Sequence, residues 1–264
     1  MTEDSDVYCL KYGPLKLRLR RSVPADYWCF EGIFFAGEYG DVKIGKDDIV
    51  LDVGSNIGMS LLYFYHKGAR HLIGIEPERA NFGMLKLNTA DIHENRVEVL
   101  NLAASEAAET LFIHETGGTA ITRRSGEGSP VKAETLDSIL TSLGDPKVTV
   151  LKMDIEGFEV RALRNFTKYH DINQVIVETH GKDLSLQVES ILKGWGLVVR
   201  DVSRLRRSRV FVNVMSHPIA FLKAEMNNGW STTAKVFRFM FAGGLSPVSA
   251  DNPSSQQRVL YGYR

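Results

Sequence analysis

Asp154-Ile155-Glu156 and, further on, Glu178-Thr179-His180 are the residues of this 264-residue chain best equipped for proton chemistry. Both groups lie at the ends of expected strands, Val148 to Met153 and Gln174 to Glu178. Strand alternation puts Asp154 and Glu156 on one side and Ile155 on the other. Two carboxylates so placed can orient a hydroxyl or bind Mg²⁺ through oxygens, with Glu178 as a further candidate ligand. Histidine is the default general base near neutral pH, which makes His180 the candidate base. An alcohol is too weak an acid to ionise there alone, so chemistry on a hydroxyl needs a base, a metal or both. Plainer roles stay open: Asp154 holding a ligand's amino group, Glu156 capping a helix, His180 a packing residue.

These groups need a reaction partner, and the partner's site is written earlier in the chain. Ile49 to Val53 reads as a buried strand. Gly54-Ser55-Asn56-Ile57-Gly58 follows as a tight turn, and Met59, Leu61, Leu62 and Phe64 begin a helix. Strand, glycine turn and helix form a nucleotide site at the carboxyl end of a sheet's first strand. Glu76 ends the next apolar run, 22 residues after Gly54, near the spacing of an acid that reaches ribose hydroxyls. A pyrophosphate cradle needs a second glycine where Asn56 stands, and Asp52 is poor company for phosphate. S-adenosylmethionine (SAM) has a cationic centre, an ammonium group and a ribose diol but no phosphate, and suits this set.

Asp52-Val53-Gly54-Ser55-Asn56-Ile57-Gly58, Ile75-Glu76-Pro77, Glu134-Thr135-Leu136-Asp137 and Lys152-Met153-Asp154-Ile155-Glu156-Gly157-Phe158-Glu159 together resemble an FkbM-type SAM-dependent methyltransferase. The resemblance covers about residues 36 to 180, and the Lys152 to Glu159 segment is its most specific part. It implies a class I methyltransferase fold and O-methylation of a hydroxyl on a small molecule or sugar. It also supports His180, since a Glu-x-His segment is common there. Glu38-Tyr39 resembles an acidic-aromatic pair that closes over the methionine part of SAM. Ala103 follows the third strand, where backbone meets the adenine, and Gly117-Gly118-Thr119 resembles a loop facing the acceptor. The implied cofactor contacts are therefore Glu38, Tyr39, Asp52, Gly54, Ser55, Asn56, Gly58, Glu76, Pro77, Ala103 and Asp154.

The remaining elements must position these residues. Leu15, Leu17 and Leu19 alternate with Lys16, Arg18 and Arg20, which predicts a hairpin in a β-rich cap over residues 1–47, with Phe30 to Phe35 a second apolar run. Residues 48–215 are expected to form the SAM-binding core: a Rossmann-like, seven-stranded, mostly parallel sheet with helices on both faces. Within it, Pro77 is the expected start of the second helix, Leu111 to His114 a strand of an inserted hairpin, and 117–130 a loop. Leu197 to Asp201 and Val210 to Val214 are expected to pair as the antiparallel last strands, leaving 216–264 as an appendage.

Composition narrows the function. Lysine plus arginine equals aspartate plus glutamate, so net charge gives no nucleic-acid signal. Cys9 and Cys29 make neither a disulfide framework nor a metal spacing. No apolar run is long enough for a membrane span and the first residues are acidic, so a cytoplasmic protein is expected, alone or as a homo-oligomer. Arg200, Arg204, Arg206, Arg207 and Arg209 form a solvated turn or a patch for an anionic acceptor or RNA. An RNA methyltransferase and a non-catalytic SAM-binding protein are the rival readings.

Overall fold

The computed structural model describes residues 6–116, 119–123, 128–203 and 257–264. Strands β1 (Val7–Tyr12) and β2 (Leu15–Arg20) form the expected hairpin, Leu10 opposite Leu17. Helix α1 (Pro24–Phe30) follows and runs on as a π-helical turn, Glu31–Phe35. The second apolar run is thus helical, with Phe30, Phe34 and Phe35 buried together. Asp26 is buried and clamps this cap: its carboxylate takes Arg20 Nε at 2.9 Å and Nη2 at 2.7 Å, and the same Nη2 reaches Asn81 Oδ1 at 2.7 Å.

Strand β3 (Ile49–Val53), helix α2 (Met59–His66), strand β4 (His71–Ile75), helix α3 (Arg79–Thr89) and strand β5 (Val97–Leu100) follow as the sequence predicts. Pro77 lies just outside α3. Glu78 is the N-cap instead, its carboxylate accepting from Ala80 N at 2.8 Å and Asn81 N at 2.6 Å. Strands β6 (Ala103–Ala104), β7 (Glu109–Thr116), β8 (Thr119–Arg123) and β9 (Ser129–Glu134) make a separate four-stranded sheet. The expected loop over 117–130 is therefore corrected at 119–123 and 129–130, where pairing with β7 satisfies the backbone; Gly117, Gly118 and 124–127 lie outside the described residues.

The chain then adds helix α4 (Leu136–Ser142), strand β10 (Val150–Met153), helix α5 (Glu159–Arg164), strand β11 (Gln174–His180), helix α6 (Lys182–Gly194) and strand β12 (Val198–Asp201). The main sheet has seven strands in the order β12-β13-β11-β10-β3-β4-β5, where β13 is Gln257–Tyr263. Only β13 runs against its neighbours. This is the expected sheet with one correction. The antiparallel strand comes from residues assigned to the appendage, because Val259 and Leu260 bury between β11 and β12. Val210 to Val214 lie outside the described residues.

Alternation along the strands divides the core. Val50, Leu72, Val150 and Ile176 face the cap, α2 and α3, while Leu51, Ile73, Leu151 and Val175 face α4, α5 and α6. The chain crosses from β4's side of β3 to β10 on the other, and a cleft opens at the carboxyl ends of these strands.

Candidate active site

The cleft has a volume of about 250 Å³ and is floored by the β3–α2 turn. Gly54 and Ser55 both donate backbone N–H groups to Ile75 O at 2.9 Å, which ties the turn to β4. Gly54 has φ +83°, and a Cβ there would lie 1.8 Å from Asp154 O. Only glycine lets the turn pass the end of β10. Gly58 also needs its type, with φ +87° and Leu85 Cδ1 2.7 Å from a Cβ.

Glu76 is buried at the next strand end. Its Oε2 accepts from Asn56 N at 2.8 Å and its Oε1 from Glu78 N at 2.9 Å. Burial lifts its pKa to about 7 against the pull of these two N–H groups. A carboxylate oxygen accepts more than one hydrogen bond, so Glu76 keeps capacity for a diol in the cleft.

Beneath the turn, Asp52 and Lys152 face each other in register on β3 and β10. Lys152 Nζ lies 2.9 Å from Asp52 Oδ1 and donates to Gly54 O at 2.5 Å, and Ser60 Oγ donates to Asp52 Oδ2. Burial disfavours the ammonium, but Asp52 and Asp154 outweigh that and hold Lys152 charged. Asp52 is 0% exposed and does not line the cleft. The expectation that it meets a cofactor's cation is corrected: its cation is Lys152.

At the other wall, Asp154 N donates to Val53 O at 2.9 Å, which fixes Asp154 beside the turn. Its Oδ1 is buried and has no hydrogen-bond partner among the described residues. Desolvation raises its pKa; Lys152 and His180 oppose this, and Glu156 and Glu38 add to it. His180 Nε2 lies 3.2 Å from Glu156 Oε2, and Nδ1 lies 3.6 Å from Glu159 Oε1. Burial alone would neutralise the ring. The two glutamates and Asp154 instead raise its pKa above the usual histidine value. The histidine expected as base therefore sits between carboxylates that favour its charged form.

Of the predicted contacts, Tyr39, Gly54, Ser55, Asn56, Glu76, Pro77, Ala103, Asp154, Glu156, Glu178 and His180 line the cleft. Glu38, Asp52 and Gly58 do not, although the Glu38 charge acts on Asp154. Trp28, Cys29, Lys152 and Phe158 also line it and were not predicted. Trp28 is 54% exposed, the other face of α1 being buried through Tyr27 and Phe30. Lys152 had a readable signal, a lysine inside an apolar strand with Asp52 inside another. Trp28 had none beyond its type.

Asp154, Glu156 and His180 each bring a potential ligand atom within 4.8 Å of the others. Glu178, the third expected oxygen donor, is not in this group. The set offers two carboxylate oxygens and one ring nitrogen, whereas Mg²⁺ prefers an all-oxygen shell, so it fits that ion poorly.

A profile of the family described as Methyltransferase FkbM domain matches residues 52–198. The hexuronic acid methyltransferase AglP of Haloferax volcanii is 29% identical over 171 residues, 63% of this chain and 70% of that protein. Methyltransferase FkbM of Methylobacillus flagellatus has a TM-score of 0.47 at 19% identity over 67% of this chain and 46% of that one, so the chain spans about half of that relative's length. Aeropyrum pernix fibrillarin, solved with natively bound S-adenosyl-L-methionine, gives 0.44 at 11% identity over 75% and 76%.

Proposed function

The chain belongs to the FkbM methyltransferase family, and from that premise we propose that it uses SAM to methylate a hydroxyl of a sugar in this cleft. The observation that carries the reading is the charge of the wall. Glu76, Asp154, Glu156 and Glu178 line it, and of the two cations there Lys152 is committed to Asp52. Such a wall favours a ligand bearing a sulfonium and an ammonium and repels a pyrophosphate. Glu76 would hold the ribose diol, the Gly54 to Gly58 turn would support the methionine part, and Ala103 would lie against the adenine. SAM, when bound, supplies a methyl group on a positively charged sulfur that leaves as a neutral thioether.

The chain's own task is to align the acceptor oxygen behind that methyl and remove its proton. Asp154 takes the proton: it is a carboxylate whose pKa is raised, with an oxygen free of hydrogen-bond partners among the described residues. As the oxygen–carbon bond forms, the hydroxyl proton passes to Asp154. His180 remains charged, a donor to the acceptor or to Glu156 rather than the base. Trp28 offers an exposed indole face at the cleft, which suits the C–H face of a sugar ring. The relative's hexuronic acid gives the first acceptor class to try. In an acidic cleft its carboxylate must turn toward His180 or away from the wall.

We assign the reaction to the cytoplasm, where Cys9 and Cys29, both free thiols, stay reduced. No helix among the described residues is long and apolar enough to cross a membrane. The test is incubation with methyl-labelled SAM and a panel of uronic acids and neutral sugars. Label is expected as a methyl ether on a ring hydroxyl. Failure to bind S-adenosylhomocysteine by calorimetry overturns the cofactor, and label recovered as a carboxylate ester overturns O-methylation of a hydroxyl.

A further inference from the structure

Glu159 has no assigned role, yet it is the more deeply buried of the two acids on His180. It is 0% exposed, at the first turn of α5. Its Oε1 accepts from Gly157 N at 3.0 Å and Ile155 N at 3.3 Å and lies 3.6 Å from His180 Nδ1. Its Oε2 is buried and finds no hydrogen-bond partner among the described residues. A buried carboxylate persists as an anion only with a counter-charge. His180, with Nδ1 3.6 Å away, is able to carry it.

The opposite ring nitrogen faces Glu156, whose backbone is held at φ +52°, a left-handed conformation costly for a glutamate. Gly157 follows at φ +100°. These two residues turn the chain so that Glu156 faces the cleft while Glu159, three residues on, reaches the same ring from the protein side. Two carboxylates of one segment, 156–159, thus face the two ring nitrogens, Glu156 at 3.2 Å and Glu159 at 3.6 Å. Asp154 faces it from the end of β10, and Glu178 shares its strand.

We infer that Glu159 is a positioning residue: from the protein side it orients the ring of His180 so that Nε2 is presented to Glu156 and the cleft. It acts on the reaction only through His180 and touches neither ligand. The inference deepens the methyl-transfer reading and rests on it for its kinetic part. Its structural part stands apart.

Three measurements test it in the full chain. Nitrogen NMR of the histidine side chains at neutral pH is expected to show His180 protonated at both nitrogens in the parent. In Glu159→Gln, which keeps an oxygen for the two backbone donors, that signature is expected to move toward a neutral ring. Turnover is expected to fall about 10- to 100-fold, with the affinity for S-adenosylhomocysteine unchanged. In a His180→Ala background Glu159→Gln is expected to cost nothing further. An unmoved His180 signature overturns the clamp whether or not an acceptor has been found. Equal losses from Glu159→Gln in both backgrounds overturn action through His180. A parent that binds no S-adenosylhomocysteine sinks the methyltransferase reading and leaves the NMR result to decide the clamp.

Discussion

The two walls of the cleft are built on opposite principles. On the turn side, Gly54, Ser55, Asn56 and Glu76 are held by backbone hydrogen bonds between neighbouring strand ends, and their positions follow from chain path. On the far side, backbone bonds anchor Asp154 and Glu159, but the side chains of Asp154, Glu156, Glu159 and His180 act on one another's charges. A wall fixed by backbone keeps its shape when a side chain is trimmed. A wall fixed by mutual charge changes protonation when any member is replaced. On the proposed reading, binding falls to the rigid wall and proton transfer to the adjustable one.

The largest expected effect attacks the point where the walls touch. Gly54→Ala forces a Cβ into Asp154 O, a backbone atom that cannot rotate away. It should cost roughly 3–5 kcal/mol in urea unfolding and abolish ligand binding. A stable Gly54→Ala protein with parent affinity would mean that the turn yields, and the contrast between walls would go with it.

Asp154→Asn probes the adjustable wall. Turnover should fall roughly 10²–10⁴-fold while S-adenosylhomocysteine still binds. Comparable turnover would move the proton acceptor to Glu156.

Glu76→Gln probes the rigid wall in the reverse sense. Ligand affinity should drop roughly 10- to 100-fold, with a smaller loss in turnover at saturation.

The smallest effect is a pH slope. Burial lifts the Glu76 pKa to about 7 in the folded protein, from the ordinary 4.5 of an exposed glutamate. The fold favours its protonated form, so its contribution to stability is complete below about pH 4.5 and is lost as pH rises to about 7. In unliganded protein, Glu76→Gln should flatten that decline in urea midpoints. Ligand hydroxyls favour the carboxylate, so parent affinity should rise through the same range. Parent and Glu76→Gln curves of equal slope would place the titration elsewhere.

The rigid wall was legible in the sequence because its determinants are local. A strand, a glycine turn and an acid at fixed spacing imply their own geometry. Asp154 and His180 were legible as strand ends. Their charges were not, because the state of His180 depends on Glu159, whose place in Glu156-Gly157-Phe158-Glu159 says nothing of burial. Asp52 was misread for a related reason: its partner lies across the sheet, and only strand register brings Lys152 opposite. The seven-stranded sheet was legible as a count of apolar runs. The source of its antiparallel strand was not, since Val259 and Leu260 bury between partners far away in sequence.

That strand bears on how the protein becomes active during synthesis. Thr179 and His180 pair with Arg258 and Gln257. The strand carrying the histidine is therefore flanked on only one side until residues beyond 257 have left the ribosome. The glycine turn, Glu76 and Asp154 can close around β3, β4 and β10 well before then. A nascent chain would thus hold its ligand pocket and Asp154 before the strand carrying His180 is locked, and binding competence should precede full turnover in the life of each molecule.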